Sequence, residues 1–509
     1  MSKGVVYLVG AGPGDPKLIT VRGLEAIQRA DVVVYDRLAS PRLLRHMKPG
    51  AEKIFVGKLP DKHMMKQSEI NRLLVDLALQ GKIVTRLKGG DPSVFGRVGE
   101  EAELLADHGI RFEIVPGITS AIAVPAYAGI PVTHRDFTSS FSIVTGHEYP
   151  NKTYSSVNWG NLAQASGTLI FLMGVANLEF ICSQLIEGGK SAATPVALIR
   201  WGTWMEQATL TGTLTDIFDK VKAANFQSPA VIIVGEVVKL RDKLAWFEKK
   251  PLFGRRILVT RARSQASDLV SQIEELGGEA VEFPVIRIQP PTKAAAQQAL
   301  GLALQRLPDF DWVLFTSVNG VERFFEELRD RRIDVRGMSK ARIAAVGPKT
   351  ADALLNRGLL ADMLPPKFQG DELLASLEAE LKPGQQVLLP TADIAKAYIP
   401  AKLRELGLQV TEVDVYETVL ETSGGAELIE LLRQQAIHII TFTSSSTVTN
   451  LLRALQELGV SDPLELLAPC RIACIGPMTA QTAEEAGLGV DYLAEEATVE
   501  SLVAGLYQP

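Results

Sequence analysis

Cysteine is scarce in this 509-residue chain: only Cys182, Cys470 and Cys474 occur. They form no C-x-x-C pair and have no histidine at ligand spacing, which excludes a disulfide framework and a zinc site, so they read as small core residues. Long apolar runs are also missing. The opening Met1-Ser-Lys-Gly is followed by a five-residue apolar stretch, Val5 to Val9, too short for a signal peptide, and nothing later approaches a membrane span. A cytoplasmic protein without a membrane partner is expected. Positive charge is in deficit, with 53 Lys and Arg against 59 Asp and Glu and a formal net charge of -6. With no long basic cluster to offset that balance, a nucleic-acid partner is excluded and any anionic ligand must be held by local basic patches. Disorder is excluded too, by 46% hydrophobic against 22% charged residues.

Two phosphate-binding signatures are absent as well. Val5-Val-Tyr-Leu-Val-Gly-Ala-Gly-Pro-Gly-Asp15 is a short apolar strand entering a glycine-rich turn. A dinucleotide fingerprint needs a third glycine where Asp15 stands, and Pro13 sits inside the turn, so the Rossmann reading is poor. No Walker-type G-x-x-x-x-G-K-[S/T] sequence is found. What the chain does have is Arg86-Leu-Lys-Gly-Gly-Asp-Pro-Ser-Val-Phe-Gly-Arg97, with paired glycines and an acid directly after an apolar-basic strand. Gly89 and Gly90 allow positive φ and bare amides, and Asp91 offers an acceptor for an amine or a ribose hydroxyl, the makings of a small-ligand loop.

At roughly 100–200 residues per domain, the length implies about three domains. Apolar runs at Val5–Val9, Val32–Tyr35, Ile83–Leu87, Phe112–Val115, Ser142–Thr145, Thr168–Met173, Pro195–Ile199 and Ala230–Val234 alternate with helix-length amphipathic segments, the mark of an α/β fold. The pattern breaks between Lys239 and Gly254 in a charged stretch ending in proline and glycine, where a domain boundary is placed.

Beyond that boundary the chain repeats itself. Ile257-Leu-Val-Thr260 with Glu275-Leu-Gly-Gly278 matches Val387-Leu-Leu-Pro-Thr391 with Glu405-Leu-Gly-Leu408. Leu314-Phe-Thr-Ser-Val-Asn-Gly-Val321 matches Thr441-Phe-Thr-Ser-Ser-Ser-Thr-Val448, and Ala345-Val-Gly-Pro-Lys-Thr-Ala351 matches Cys474-Ile-Gly-Pro-Met-Thr-Ala480. Each block is a strand, a polar or Gly-Pro turn and a helix, so two similar α/β lobes facing a cleft are expected. Thr and Ser cap the helices that follow, and the capped N-termini form a cradle for carboxylates. Such a cleft, without an evident nucleophile or metal set, suits folding a flexible polyanion.

In the first half, the glycine turn through Asp15, Val33-Val-Tyr-Asp-Arg-Leu38, Val56-Gly-Lys58, Arg86-Leu-Lys-Gly-Gly-Asp-Pro92, Val115-Pro-Gly-Ile-Thr-Ser120, Ala128-Gly-Ile-Pro-Val-Thr-His-Arg135, Val144-Thr-Gly-His147, Phe171-Leu-Met-Gly174 and Ser228-Pro-Ala-Val-Ile-Ile-Val-Gly-Glu236 stand in order. Through them residues 1 to about 247 resemble the uroporphyrinogen-III C-methyltransferases, which are tetrapyrrole methylases. Residues 254 to 509 resemble uroporphyrinogen-III synthases through the paired blocks and Val415-Tyr-Glu-Thr418. The resemblance implies a two-subdomain tetrapyrrole methylase fold (about 1–137 and 138–247) followed by a bilobal synthase with two flavodoxin-like lobes. The lobes exchange chain: 254–285 joins 417–509, and 289–413 forms the other.

For the methylase, the resemblance implies S-adenosyl-L-methionine as cofactor, S-adenosyl-L-homocysteine as its product and a homodimer through this domain. Cofactor contacts fall at Pro13, Gly89, Gly90, Asp91, Val94, Thr119, Ser120, Met173, Gly202 and Ala230, with Asp36 as general base and Lys58 as acid. Arg37, Lys88, Arg97, His134 and Arg135 are candidate partners for the carboxylates of a tetrapyrrole substrate. For the synthase it implies closure of hydroxymethylbilane with inversion of the last ring, without a cofactor. Conformational control would come from turns at Thr260, Arg261, Ser317, Gly347, Thr443, Ser444 and Gly476, and Tyr416 would assist hydroxide departure or pack as a hinge. Together these make a bifunctional enzyme leading through precorrin-2 to sirohaem and cobalamin. The alternative is a methylase with a non-catalytic tetrapyrrole-binding module. The chain departs from the family patterns at Val98-Gly99, where Gly-Gly is usual, and at Thr391, where a basic residue is common.

Overall fold

The computed structural model describes residues 3–57, 65–147, 157–165, 167–261, 263–365, 370–378, 380–392 and 398–507, so Lys58 lies outside the described residues. Two compact units emerge, Met1–Arg256 with Ile273–Glu279, and Ile257–Gln272 with Ala280–Pro509.

In the first unit, strands β1 (Val5–Gly10), β2 (Val32–Tyr35), β3 (Glu52–Phe55), β4 (Ile83–Lys88) and β5 (Arg111–Val115) form a parallel sheet in the order β3-β2-β4-β1-β5. A parallel sheet is covered on both faces, which is why its strands read as near-continuous apolar runs. Val6, Leu8, Val34 and Val84 pack to one side with the helices Gln67–Leu79 and Val98–Asp107, while Val9, Val33 and Leu87 pack to the other with Val21–Arg29.

A second, mixed sheet joins β6 (Phe141–Thr145), β7 (Thr168–Leu172), β8 (Pro195–Arg200), β9 (Ala208–Thr213) and β10 (Ala230–Val234) in the order β6-β7-β10-β8-β9; only β6 and β7 run parallel. Strand alternation sends Leu169 and Phe171 to one core and Ile170 to the other. The helix Ser120–Tyr127 buries Ala121 and Val124 against Ile170, Ala197, Ile199, Val231 and Ile233 of this second sheet. The expected subdomain limit near 137 groups that helix with the first sheet, while its apolar face covers the second.

The second unit carries β11 (Arg256–Val259), β12 (Glu279–Glu282), β13 (Ile286–Gln289), β14 (Trp312–Phe315), β15 (Arg342–Ala345), β16 (Gln386–Ala392), β17 (Gln409–Leu420), β18 (Ile439–Phe442), β19 (Arg471–Cys474) and β20 (Tyr492–Leu493). One sheet has the order β12-β11-β18-β19-β20, which is 2-1-3-4-5 within the lobe, the flavodoxin-like order. The other is β13-β17-β16-β14-β15. The paired sequence blocks occupy equivalent places: β11 with β16, β14 with β18 and β15 with β19. Because β11 pairs with β18, the opening strand of this half completes the lobe formed by its last third. The passages between the lobes run as an antiparallel ribbon of β13 and β17, Ile286 opposite Leu420 through Gln289 opposite Glu417. Strand β17 is continuous across 413–417, so the expected lobe limit there falls inside a strand.

Candidate active site

A cleft of about 530 Å³ opens where the parallel strands of the first unit end, the usual ligand position of an open α/β sheet. From the first sheet it takes Gly12 and Pro13 after β1, Asp36 after β2, Lys88, Gly89 and Gly90 at the end of β4, and Val94 to Arg97 beyond. From the second come Leu172, Met173, Ile199, Trp201, Gly202, Ala230 and Val231, with Ser120 and Val124 on the helix between. Gly12 and Gly90, at φ 78° and 70°, exchange backbone hydrogen bonds of 3.2 and 2.7 Å that tie together the turns after β1 and β4. Gly202 is required for closeness, since a Cβ there would lie 2.3 Å from Val124 Cγ1. Of the eight described non-glycine residues at positive φ, Phe95, Arg97, Met173 and Trp201 line this cleft. Backbone strain gathers where a fold over-determines a binding surface.

Most sequence-predicted contacts converge here: Pro13, Gly89, Gly90, Val94, Ser120, Met173, Gly202 and Ala230 line the cleft, as do Asp36, Lys88 and Arg97. Met173 is 53% exposed, so its side chain is available to a ligand in the cleft. Asp91 and Thr119 are not in the lining. The Asp91 carboxylate accepts from Ser93 N at 2.7 Å and from Gly117 N at 2.9 Å, so it fastens two loops rather than offering a free acceptor. Thr119 caps its helix through the amide of Ala121. Arg37 is exposed beside the lining, its guanidinium 5.8 Å from the Trp201 ring centre. His134 and Arg135 stand outside the lining, His134 Nδ1 accepting from the Asp136 amide at 3.2 Å. Val98 is in the hydrophobic core rather than in the cleft wall.

Sequence reasoning missed the ion network under the cleft. Glu101 is fully buried, and its Oε1 accepts from Lys88 Nζ at 2.7 Å, Gln67 Nε2 at 3.0 Å and Arg86 Nε at 3.4 Å. Arg86 reaches Asp36 Oδ2 at 3.3 Å with its far nitrogen and donates to the carbonyls of Val34 and Leu87. Burial, opposed by Glu101 and reinforced by Arg86, holds the Lys88 pKa below its ordinary value. The signal was present in the sequence: Arg86 and Lys88 are two apart in an otherwise apolar strand, so they share one face and need a buried counter-charge. The three cysteines are buried, with thiols pushed up to about 11 by desolvation.

In the second unit, Ser317, Gly347, Ser444 and Gly476 are N-caps of the helices that follow β14, β15, β18 and β19. Thr443 precedes the Ser444 cap, and Arg261 is half-buried after β11. Thr260 is committed elsewhere: its hydroxyl donates to Thr441 O at 2.9 Å, and that of Thr441 to Leu258 O at 2.9 Å, inside the sheet. Tyr416 is 7% exposed, its ring in the lobe core and its hydroxyl 3.3 Å from Ser317 Oγ. Thr391 is buried in β16 opposite Asp414.

The sequence model of the tetrapyrrole (corrin/porphyrin) methylases matches residues 5–217, and that of uroporphyrinogen-III synthase HemD matches residues 267–504. A porphyrin biosynthesis protein HemD of Ruminiclostridium josui is 40% identical over 508 residues, covering 100% of this chain and 98% of its own. A uroporphyrinogen-III C-methyltransferase of Bacillus subtilis (strain 168) is 46% identical over 379 residues, 74% of this chain and 77% of its own. Among solved structures, a Thermus thermophilus uroporphyrin-III C-methyltransferase complexed with S-adenyl homocysteine is 38% identical, covers 47% of this chain and 100% of its own, and has a TM-score of 0.41. The chain belongs to the family in which a tetrapyrrole methylase of the uroporphyrinogen-III C-methyltransferase type is fused to a uroporphyrinogen-III synthase.

Proposed function

We propose that the chain closes hydroxymethylbilane to uroporphyrinogen III in its second half, with inversion of the last ring, and methylates that product twice in its first half to give precorrin-2, which feeds sirohaem and cobalamin. The observation that carries the methylase reading is the cleft itself, in which bare glycine backbone, an apolar wall and a carboxylate meet at the strand ends. These surfaces suit S-adenosyl-L-methionine, whose sulfonium supplies an electrophilic methyl group when bound. Pro13, Gly89, Gly90, Val94, Ser120, Met173, Gly202 and Ala230 would hold it, with Asp91 and Thr119 fixing the loops that carry them.

Carbon methylation depends on aligning the attacking carbon with the methyl group, and the cleft walls provide that alignment. A new carbon–carbon bond leaves the macrocycle cationic until a proton departs. Asp36, paired with Arg86 at 3.3 Å, stabilises that charge and accepts the proton. Lys88, Arg97 and Arg37 lie within or beside the cleft for the substrate carboxylates; His134 and Arg135 bind only a substrate edge that reaches beyond it. Lys58 keeps its proposed role as acid on the family resemblance alone.

In the second half, helix N-termini at Ser317, Gly347, Ser444 and Gly476 orient the carboxylates of the linear substrate, with Thr443 and Arg261 beside them and Thr260 bracing the sheet. The Tyr416 hydroxyl, on Ser317 at the end of β14, protonates the departing hydroxyl. The methylase comprises residues 1–247 and the synthase 254–509. Cytoplasmic homodimers form through the methylase half, for which the edge strand β5, with Phe112 and Ile114 more than a third exposed, is the support. Incubating the protein with uroporphyrinogen III and S-adenosylmethionine tests the methylase: a product heavier by two methyl groups is expected, and an unaltered mass overturns the reading.

A further inference from the structure

The stretch Arg241–Lys250 of the first unit is wired into the wall of the cleft. Gln207 Nε2 donates to Glu248 Oε1 at 2.9 Å, and Thr209 Oγ1 donates to the same oxygen at 2.7 Å. Arg241 pairs with Oε2 of Glu248 and gives its other terminal nitrogen to the Ala128 carbonyl at 2.6 Å. At its other end Gln207 accepts the Thr203 amide on Oε1 at 2.9 Å. Thr203 Oγ1 then accepts the Asp15 amide at 2.9 Å, and Asp15 Oδ2 accepts the Tyr127 hydroxyl at 2.8 Å. Hydrogen bonds thus run without a break from Glu248 to the glycine turn that ends at Asp15. Along the way they fasten the Trp201–Trp204 loop, which carries Gly202 into the cleft.

That loop needs holding. Thr203 is a β-branched residue at φ 71°, a strained left-handed conformation that persists only where the surroundings over-determine it. Thr203 and Gln207 are both 5% exposed, so neither can exchange its partner for water. Burial pushes Glu248 upward, but donation from Arg241, Gln207 and Thr209 outweighs it and holds the carboxyl below its ordinary value. At neutral pH it is a charged acceptor. Aromatic packing seats the same stretch, with the Tyr127 ring 5.0 Å from Trp246 and 4.9 Å from Phe247.

We propose that Glu248 is a positioning residue of the methyl-donor cleft, setting the Trp201–Trp204 loop and the facing glycine turn through Gln207 and Thr203. This rests on the reading of the cleft as the S-adenosylmethionine pocket. It makes the stretch that leads into the second half part of the methylase's working structure.

The test measures binding of S-adenosylhomocysteine to the full-length protein by calorimetry, together with tryptophan emission and the urea midpoint. Gln207→Glu sets two carboxylates against each other and should raise Kd about tenfold, the loss of one charge-assisted hydrogen bond. The Gln207→Glu/Glu248→Gln double variant restores a donor between the two positions and should bring Kd back to within about threefold of wild type. A folded Gln207→Glu protein with wild-type affinity, or a double variant as weak as the single, overturns the proposal. If Gln207→Glu does not fold, Glu248→Gln alone decides: a rise of about threefold or more supports the relay, and an unchanged Kd overturns it. Wild-type protein that binds no S-adenosylhomocysteine refutes the cleft reading and the relay with it, whereas normal binding by wild type and variants alike refutes the relay only.

Discussion

Replacing Glu101 by glutamine probes the ion network under the cleft with the least change in shape. The Glu101 side chain is fully shielded and serves two cations, Lys88 at 2.7 Å and Arg86 at 3.4 Å, whose own side chains are 6% and 4% exposed. In Glu101→Gln the amide oxygen still accepts a hydrogen bond, but among the described residues Asp36 is then the one formal counter-charge in contact with the pair, and it contacts Arg86. Removing one partner of a buried ion pair costs about 3–5 kcal/mol, and the retained hydrogen bond places this change near the lower end, about 3 kcal/mol. Urea denaturation followed by tryptophan emission suits the measurement, because Trp159, Trp201, Trp204 and Trp246 belong to the first unit and only Trp312 to the second. Adding Lys88→Met removes the stranded ammonium, so the double variant should regain at least about 1 kcal/mol. A Glu101→Gln protein within about 0.5 kcal/mol of wild type would show that Glu101 does not hold the two cations, because that is the size of an ordinary surface substitution.

Three other outcomes follow from the same geometry. Gly202→Ala forces a methyl group onto Val124 and should destabilise the first unit by about 1–3 kcal/mol while weakening S-adenosylhomocysteine binding, both read from the urea midpoint and calorimetry. Because the Glu248 carboxyl titrates below its ordinary value of 4.5 in the folded protein, the unfolded chain binds more protons in that range, and the group's stabilisation is complete above about 4.5 and fades as pH falls through the folded value. The melting-temperature gap between wild type and Glu248→Gln should therefore be widest at neutral pH and close under acid. Tyr416→Phe loses a hydroxyl that, among the described residues, bonds Ser317, and should fold normally while slowing formation of uroporphyrinogen III about a hundredfold, measured by isomer analysis.

Strands buried on both faces were legible because their sequences are apolar throughout. β3, reading Glu-Lys-Ile-Phe, and β9, reading Ala-Thr-Leu-Thr-Gly-Thr, were not, since each lies at a sheet edge with none of its residues buried. The helix Ser120–Tyr127 was assigned with the first sheet it follows in sequence, whereas its small apolar face packs on the second. Glycine spacing revealed that backbones approach closely at Gly89 and Gly90, but not that Asp91 is used up by the amides of Ser93 and Gly117. Nearness in sequence to a site motif says nothing of direction, which is why His134 and Arg135 fall outside the cleft. Glu101 is 15 residues from Arg86, and only the packing of its helix on β4 brings them together. In the second half the repeated strand–turn–helix blocks were readable as two lobes. The exchange of β11 between them was expected from resemblance alone, because pattern cannot choose which of two similar sheets a strand completes.

Supplying the whole protein with hydroxymethylbilane and S-adenosylmethionine, and identifying the product by mass and ring isomer, tests both proposed activities in one experiment. A dimethylated product of the type III isomer is expected, with the type III ring alone when S-adenosylmethionine is withheld. Accumulation of only the type I ring, formed without catalysis, would contradict the synthase reading, and a type III ring that gains no methyl group would contradict the methylase.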